Sequence, residues 1–172
     1  MTPQNAVAPT TAEAEPVLGA QAQVVTIETR FGEIVFDRAN AIYMPRGLLG
    51  YADFRDFGLA DMPDARLGQF RLLQSFTEPS LSFVVAPLDT DAGLVEAQDV
   101  RDACRVLSVG FEEIAVLLIV ATRRIGETTQ ISVNLRAPIL VDTGTQTAWQ
   151  YVLGNSRYPV RYVIADANKA AG

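Results

Sequence analysis

The apolar run Ile114-Ala-Val-Leu-Leu-Ile-Val120 constrains the fold of this chain more than any other stretch. It reads as a central strand over Glu113–Ala121 that is buried on both faces. Such a strand cannot stand at a solvated surface, so other elements must cover it. The rest of the chain offers mainly short strands punctuated by turns.

Val24–Thr29 and Glu33–Asp37 flank Arg30-Phe31-Gly32, a hairpin with glycine at the turn. Ala41–Met44 is halted by Pro45, and Gly47 and Gly50 break any regular element there. Phe54–Leu59 and Gln69–Phe76 read as strands on either side of a turn at Met62-Pro63-Asp64. Leu81–Ala86 pairs with its predecessor, and Leu94–Ala97 reads as a short edge strand. Gln130–Leu135, Ile139–Val141 and Ala148–Leu153 complete the set, with Thr143-Gly144-Thr145 as a connecting turn. One helix stands out. Asp99 is its expected N-cap, Val100, Ala103, Cys104 and Leu107 form its apolar stripe, and Gly110 lies past its end. The expected fold is a mainly β, antiparallel β-barrel-like single domain with one short α-helix.

Residues 1–22 mix Ala, Pro, Thr, Gln and Glu with few bulky apolar side chains, the composition of a disordered tail. The domain is expected over residues 23–165, followed by a flexible tail over 166–172. With 172 residues and 49% hydrophobic content, the chain can build one real core.

Composition removes several kinds of chemistry. The net charge is −6 and Lys169 is the only lysine, so the clustered cations that neutralise phosphates are missing. Direct binding to nucleic acid or to an anionic membrane is not expected, whereas a basic protein partner is electrostatically favoured. Histidine is absent, which removes Ser-His-Asp and Cys-His catalysis and imidazole zinc ligation. The sequence offers no metal cluster, and no cofactor is expected. A lone cysteine, Cys104, cannot form an internal disulfide and sits on the apolar stripe as a structural thiol. No signal peptide or membrane span is visible, which makes the cytoplasm the default location.

Three motifs invite a catalytic or ligand-binding reading. Asp142-Thr143-Gly144 after an apolar run matches the aspartic-peptidase triplet, in which two aspartates share a proton and activate water. A single copy would need a homodimer, and the same triplet is equally good hairpin chemistry. Glu112-Glu113 looks like a carboxylate pair, but adjacent strand residues point to opposite faces. Gly47-Leu48-Leu49-Gly50 lacks the lysine and the strand-loop-helix context of a phosphate loop, and reads as a turn. Charge placement is more telling. Between Asp89 and Glu113, seven acids (Asp89, Asp91, Glu96, Asp99, Asp102, Glu112 and Glu113) face only Arg101 and Arg105. This stretch is either a solubilising surface or an acidic docking face.

An ordered series of segments carries a family likeness. It opens with Thr26-Ile-Glu-Thr-Arg-Phe-Gly-Glu-Ile34 and continues with Met44-Pro45-x-Gly47-Leu48-x-Gly50-Tyr51. Leu73-Gln74-Ser75, Leu81-x-Phe83-Val84-Val85, Val116–Val120 and Asn134-Leu135-x-Ala137-Pro138-Ile139 follow. Gln150-Tyr-Val-Leu153 and Tyr158-Pro159-x-Arg161 close it. Over about Val25–Arg161 this series resembles the bacterial flagellar assembly factor FliW family. The chain departs from the family pattern at Leu49, where proline is usual, and in the shorter stretch Pro87–Gly93.

The resemblance implies a non-enzymatic, protein-binding regulator. Its implied partners are flagellin and the basic RNA-binding regulator CsrA, whose repression of flagellin translation it would relieve. The expected partner-binding residues are Gly47, Leu48, Gly50, Tyr51, Leu73, Gln74, Ser75, Asn134 and Pro138 from the matched motifs. Glu96, Asp99, Asp102, Glu112 and Glu113 join them from the acidic stretch. Strand and turn formation stands as the alternative role for the motif residues.

Overall fold

The computed structural model describes residues 23–168. The expected N-terminal tail, residues 1–22, lies outside the described residues. So do positions 169–172 of the expected C-terminal tail.

In order, the elements are β1 (Val24–Thr29), β2 (Gly32–Asp37), β3 (Ile42–Tyr43), β4 (Asp56–Asp61), β5 (Arg71–Ser75) and β6 (Ser82–Leu88). They continue with α1 (Ala97–Leu107), β7 (Ile114–Ile125), β8 (Thr128–Val133), β9 (Ile139–Asp142), β10 (Thr147–Gln150) and β11 (Tyr162–Asn168). Strand β7 organises the whole. Its first half pairs with β9 through Ile114–Leu117 and with β6 through Val116–Ile119. Following the neighbours from β6 through β5, β4, β3, β10 and β9 returns to β7, so seven strands close a barrel. Closure removes the open edges that an exposed sheet would present. Every pairing in the ring is antiparallel except a single parallel pair, Thr147 with Tyr43. The barrel-like reading is borne out.

The second half of β7 leaves the ring. Val120–Ile125 pairs with β8, which pairs in turn with β11, giving a three-stranded arm that projects from the barrel. Burial follows this division. Val116, Leu117 and Leu118 are buried, whereas residues 121–125 are exposed. The expectation of a strand buried on both faces therefore holds at its centre. Leu117 packs inside the barrel with Met44, Leu48, Phe57, Leu73, Val85 and Ile139. Val116 and Leu118, on the other face, pack under α1 with Val100, Ala103, Cys104 and Leu140. Full burial of each such aliphatic or aromatic side chain contributes about 1.5–3 kcal/mol.

A third apolar cluster seats the β1–β2 hairpin on the outside of β4 and β5, with Ile27, Phe36, Met62, Phe70 and Leu72 buried. Gly58 permits this close approach, because a Cβ there would collide with the Phe36 ring and sit 2.9 Å from Phe76 Cζ.

Several expectations need correction. Asp99 is not the helix N-cap: α1 begins at Ala97 after Glu96, and Asp99 lies in the first turn. The helix ends at Ser108 in the left-handed conformation, ahead of Gly110, with the Ser108 N–H closing onto the Arg105 and Cys104 carbonyls. Leu94–Ala97 is not an edge strand. Gly93, at φ +74°, turns the chain so that Val95 drops into the cluster beneath the helix. Strand β8 starts at Thr128, two residues earlier than expected, because the β7–β8 turn forms at Gly126 with φ +60°. The sequence reading placed no strand after Leu153, yet β11 runs from Tyr162 to Asn168 and enters the stretch assigned to the tail.

Candidate functional site

The matched motif residues separate into a buried set and a small exposed set. Gly47 and Leu48 are buried, and Leu48 is one of the barrel-filling side chains. Gly47 sits at φ +60° with its α-carbon against backbone, where a Cβ would lie 2.8 Å from Ala52 Cα and 2.9 Å from the Phe54 carbonyl. Gly50 is exposed at φ +85°. Tyr51 is 40% exposed and packs edge-on against Phe83, with ring centroids 5.3 Å apart. Of this segment, residues 49–51 reach the surface, and the Leu49 N–H is held by Gln150 Oε1 at 2.8 Å.

Leu73, Gln74 and Ser75 are fully buried and offer no surface to a partner. Leu73 fills the barrel. The Gln74 Nε2 lies within 3.0–3.3 Å of the carbonyls of Ser75, Glu78, Pro79 and Leu81. Ser75 Oγ accepts from the N–H groups of Thr77 and Glu78. The pair thus builds the β5–β6 turn from within, which is a structural role. Asn134 and Pro138 act similarly at the link from arm to barrel. Asn134 Oδ1 accepts from the Arg136 and Ala137 N–H groups, both at 3.0 Å. Pro138 is buried, and its carbonyl accepts from the Tyr151 N–H at 2.9 Å.

The acidic residues lie along α1 and the turn that follows it. Glu96 stands at its start, with Arg157 at 3.2 Å. Asp99 turns inward: its Oδ2 accepts from the Tyr158 hydroxyl, and Arg157 approaches at 3.7 Å. Asp102 is paired with Arg105 at 2.6 Å on the exposed face. Beyond the helix, Glu112 and Glu113 are exposed on a short 3-10 turn, Phe111–Glu113, ahead of β7. Among the described residues neither forms an ion pair. Glu96, Asp102, Glu112 and Glu113 thus remain exposed acids, whereas Asp99 is turned inward.

Asp142 has a local task. Its Oδ1 accepts from the N–H groups of Gly144 at 2.9 Å and Thr145 at 3.2 Å, while Thr143 Oγ1 donates to the Glu113 carbonyl at 2.9 Å. This is the hairpin role of Asp-Thr-Gly.

Sequence reasoning overlooked an apolar cleft between the β1–β2 hairpin and the arm. It has a volume of about 470 Å³ and is lined by Phe31, Met62, Leu67, Phe70, Val84, Val120 and Ile131, with Arg30 at its rim. A neighbouring cleft of about 300 Å³ shares Phe70 and Ile131 and reaches Ile164 and Ala165 of β11. These side chains come from six separate segments, so no local motif announces the clefts. Tyr158, by contrast, stood in a matched motif, but nothing local linked it to Asp99.

The family model described as FliW protein matches residues 25–164, from β1 into β11. The chain belongs to the FliW family. The flagellar assembly factor FliW of Syntrophotalea carbinolica is 34% identical over 140 residues, covering 81% of this chain and 96% of that relative. That of Geotalea uraniireducens is 34% identical over 141 residues, covering 82% and 84%. A crystal structure of the flagellar assembly factor FliW superimposes with a TM-score of 0.60 at 21% identity, covering 81% of this chain and 96% of that one. This FliW fold carries its matched motifs largely as internal scaffolding, and leaves the exposed acids and the cleft as surface features. Among the described residues, no helix is long and apolar enough to cross a membrane.

Proposed function

We propose that this protein is a cytoplasmic, non-enzymatic flagellar assembly factor that binds flagellin and antagonises a CsrA-type RNA-binding regulator. Family membership across the folded domain carries this reading. Charge supports the second partner: CsrA is a basic RNA binder, and the acidic face around α1 is its electrostatic complement. Asp102, Glu112 and Glu113 are the residues assigned to that contact, with Glu96 beside them. For flagellin, the exposed part of the matched turn, Gly50 and Tyr51, is the assigned contact.

Calorimetric titration of the purified chain with flagellin and with CsrA tests the reading. Both are expected to bind without any covalent change in the partner. Reversing Glu112 and Glu113 to Lys is expected to slow CsrA association and flatten its salt dependence, because rim charges act mainly on encounter. Flagellin binding should stay as it was. Failure to bind either protein would overturn the assignment.

A further inference from the structure

Among the described residues of the nine-stranded sheet, β11 alone has a single neighbour: it pairs with β8, and no described strand covers its other side. An open strand edge is a ready template for another strand, and proteins normally blunt it with charge. Here the start of the strand is apolar, and so is Val160 just ahead of it. Val160, Tyr162, Val163 and Ile164 are 59%, 40%, 43% and 40% exposed.

The charges on either side of this apolar stretch, Arg161 and Asp166, are opposite in sign and share one face. Val163 pairs with Ser132 and Asp166 with Gln130, and a register shift between Val163 and Ala165 makes Ile164 a bulge. Ser132 and Gln130 lie two apart on a regular strand and so project to the same side. Asp166 therefore lies on the face of Ser132, and the Gln130 Nε2 contact at 3.4 Å agrees. Arg161 and Arg123 share a shallow cleft of about 260 Å³ with Gln130 and Ser132, which puts them on this face too. Among the described residues neither guanidinium has an ion-pair partner, and Asp166 has none.

We infer that the β11 edge is a self-association surface whose occupant is a second copy of this chain. Two copies of β11 pair antiparallel across a two-fold axis, with Tyr162 opposite the second copy's Ala165. That register sets each Arg161 across from the second copy's Asp166, on one face of a continuous sheet. The contact is isologous, so both ion pairs form or neither does. Without the bulge, Arg161 and Asp166 would lie on opposite faces and this complementarity would be lost.

Sedimentation velocity on the full 172-residue chain over a wide concentration range tests the inference. Wild type is expected to show a monomer–dimer equilibrium. R161D and D166R each replace two opposite-charge cross-strand pairs by two like-charge pairs, and each is expected to weaken self-association by roughly tenfold or more. An equimolar mixture of R161D with D166R regains two complementary pairs, and is expected to restore the dimer. Both sites are exposed, and circular dichroism checks that the variants fold. A wild type that stays monomeric throughout, or a dimer indifferent to both reversals, would overturn the proposal. Amide exchange supplies a further check. Protection of β11 in a monomer only when residues 1–22 are present would assign the edge to the chain's own N-terminal segment instead.

Discussion

The Tyr158 hydroxyl donates to Oδ2 of Asp99, fifty-nine residues earlier in the chain. The Tyr158 hydroxyl oxygen in turn accepts from the Glu96 N–H at 3.0 Å and from Arg157 Nη2 at 3.2 Å. One phenol thus ties the segment after β10 to the first turn of α1. It converts Asp99 from a surface charge into a tether. Tyr158 is 3% exposed, and its removal leaves the Glu96 N–H and the 28%-exposed Asp99 carboxylate without this partner. Tyr158→Phe is expected to lower stability by about 1–3 kcal/mol, the cost of leaving such partners unsatisfied. Urea unfolding should show a lower midpoint with an unchanged slope. An unmoved midpoint would mean that the tether contributes nothing.

Gly47 and Gly50 stand in one turn under different constraints. Both have positive φ, but a Cβ at Gly50 would meet nothing within 4 Å, whereas one at Gly47 would strike backbone. Gly50→Ala is expected to cost about 1–2 kcal/mol, the left-handed penalty alone. For Gly47→Ala the overlap adds to that penalty, for a total of about 3 kcal/mol or more. Thermal melting of both variants checks the order. Equal losses would contradict the packing seen around Gly47.

Most of the strand content could be read from periodicity because each barrel strand alternates between two environments that its own residues encode. The run at Ile114–Val120 shows this well: Leu117 faces the barrel interior while Val116 and Leu118 face the helix. Two things escaped. β11 is exposed along residues 162–167 and held by pairing to β8, so neither apolar alternation nor burial marks it in the sequence. The start of α1 was misplaced because Asp99 has the side chain of an N-cap but spends it on Tyr158. The candidate site was legible in part. Most acids of the α1 region are exposed, but local sequence could not show which were already paired. The matched motif puts Gln74 among the expected partner-binding residues, yet the strand buries it.

That misreading of Gln74 gives the next prediction. The side chain is fully buried with its Nε2 among four carbonyls of the β5–β6 connection. Gln74→Leu keeps most of the volume and removes the donor, leaving carbonyls without it. A loss of about 1–3 kcal/mol is expected in chemical denaturation. Partner binding, measured under conditions where the variant is fully folded, should match wild type. Full stability with lost binding would reverse the assignment and return Gln74 to the partner surface.

Cys104 provides a probe of pH and of opening. It is 2% exposed against Val100, Val116 and Leu118, and burial raises its thiol above the ordinary value. Only the thiolate reacts. Modification by a thiol reagent should therefore be slow in the folded protein and should follow the rate at which α1 lifts from the barrel. The sign of the pH effect comes from proton counting. Below the unfolded thiol's pKa of about 8.5, both states keep the proton and the thiol adds no pH dependence. Above it the unfolded state ionises first and binds fewer protons, so stability falls as pH climbs toward the folded value. Cys104→Ala removes this contribution. The difference in unfolding free energy between wild type and the variant should be constant near neutral pH and shift against wild type as pH approaches about 10. A difference that stays flat over that whole span would mean that the thiol ionises as readily under the helix as in water, and that α1 does not seal the cluster beneath it.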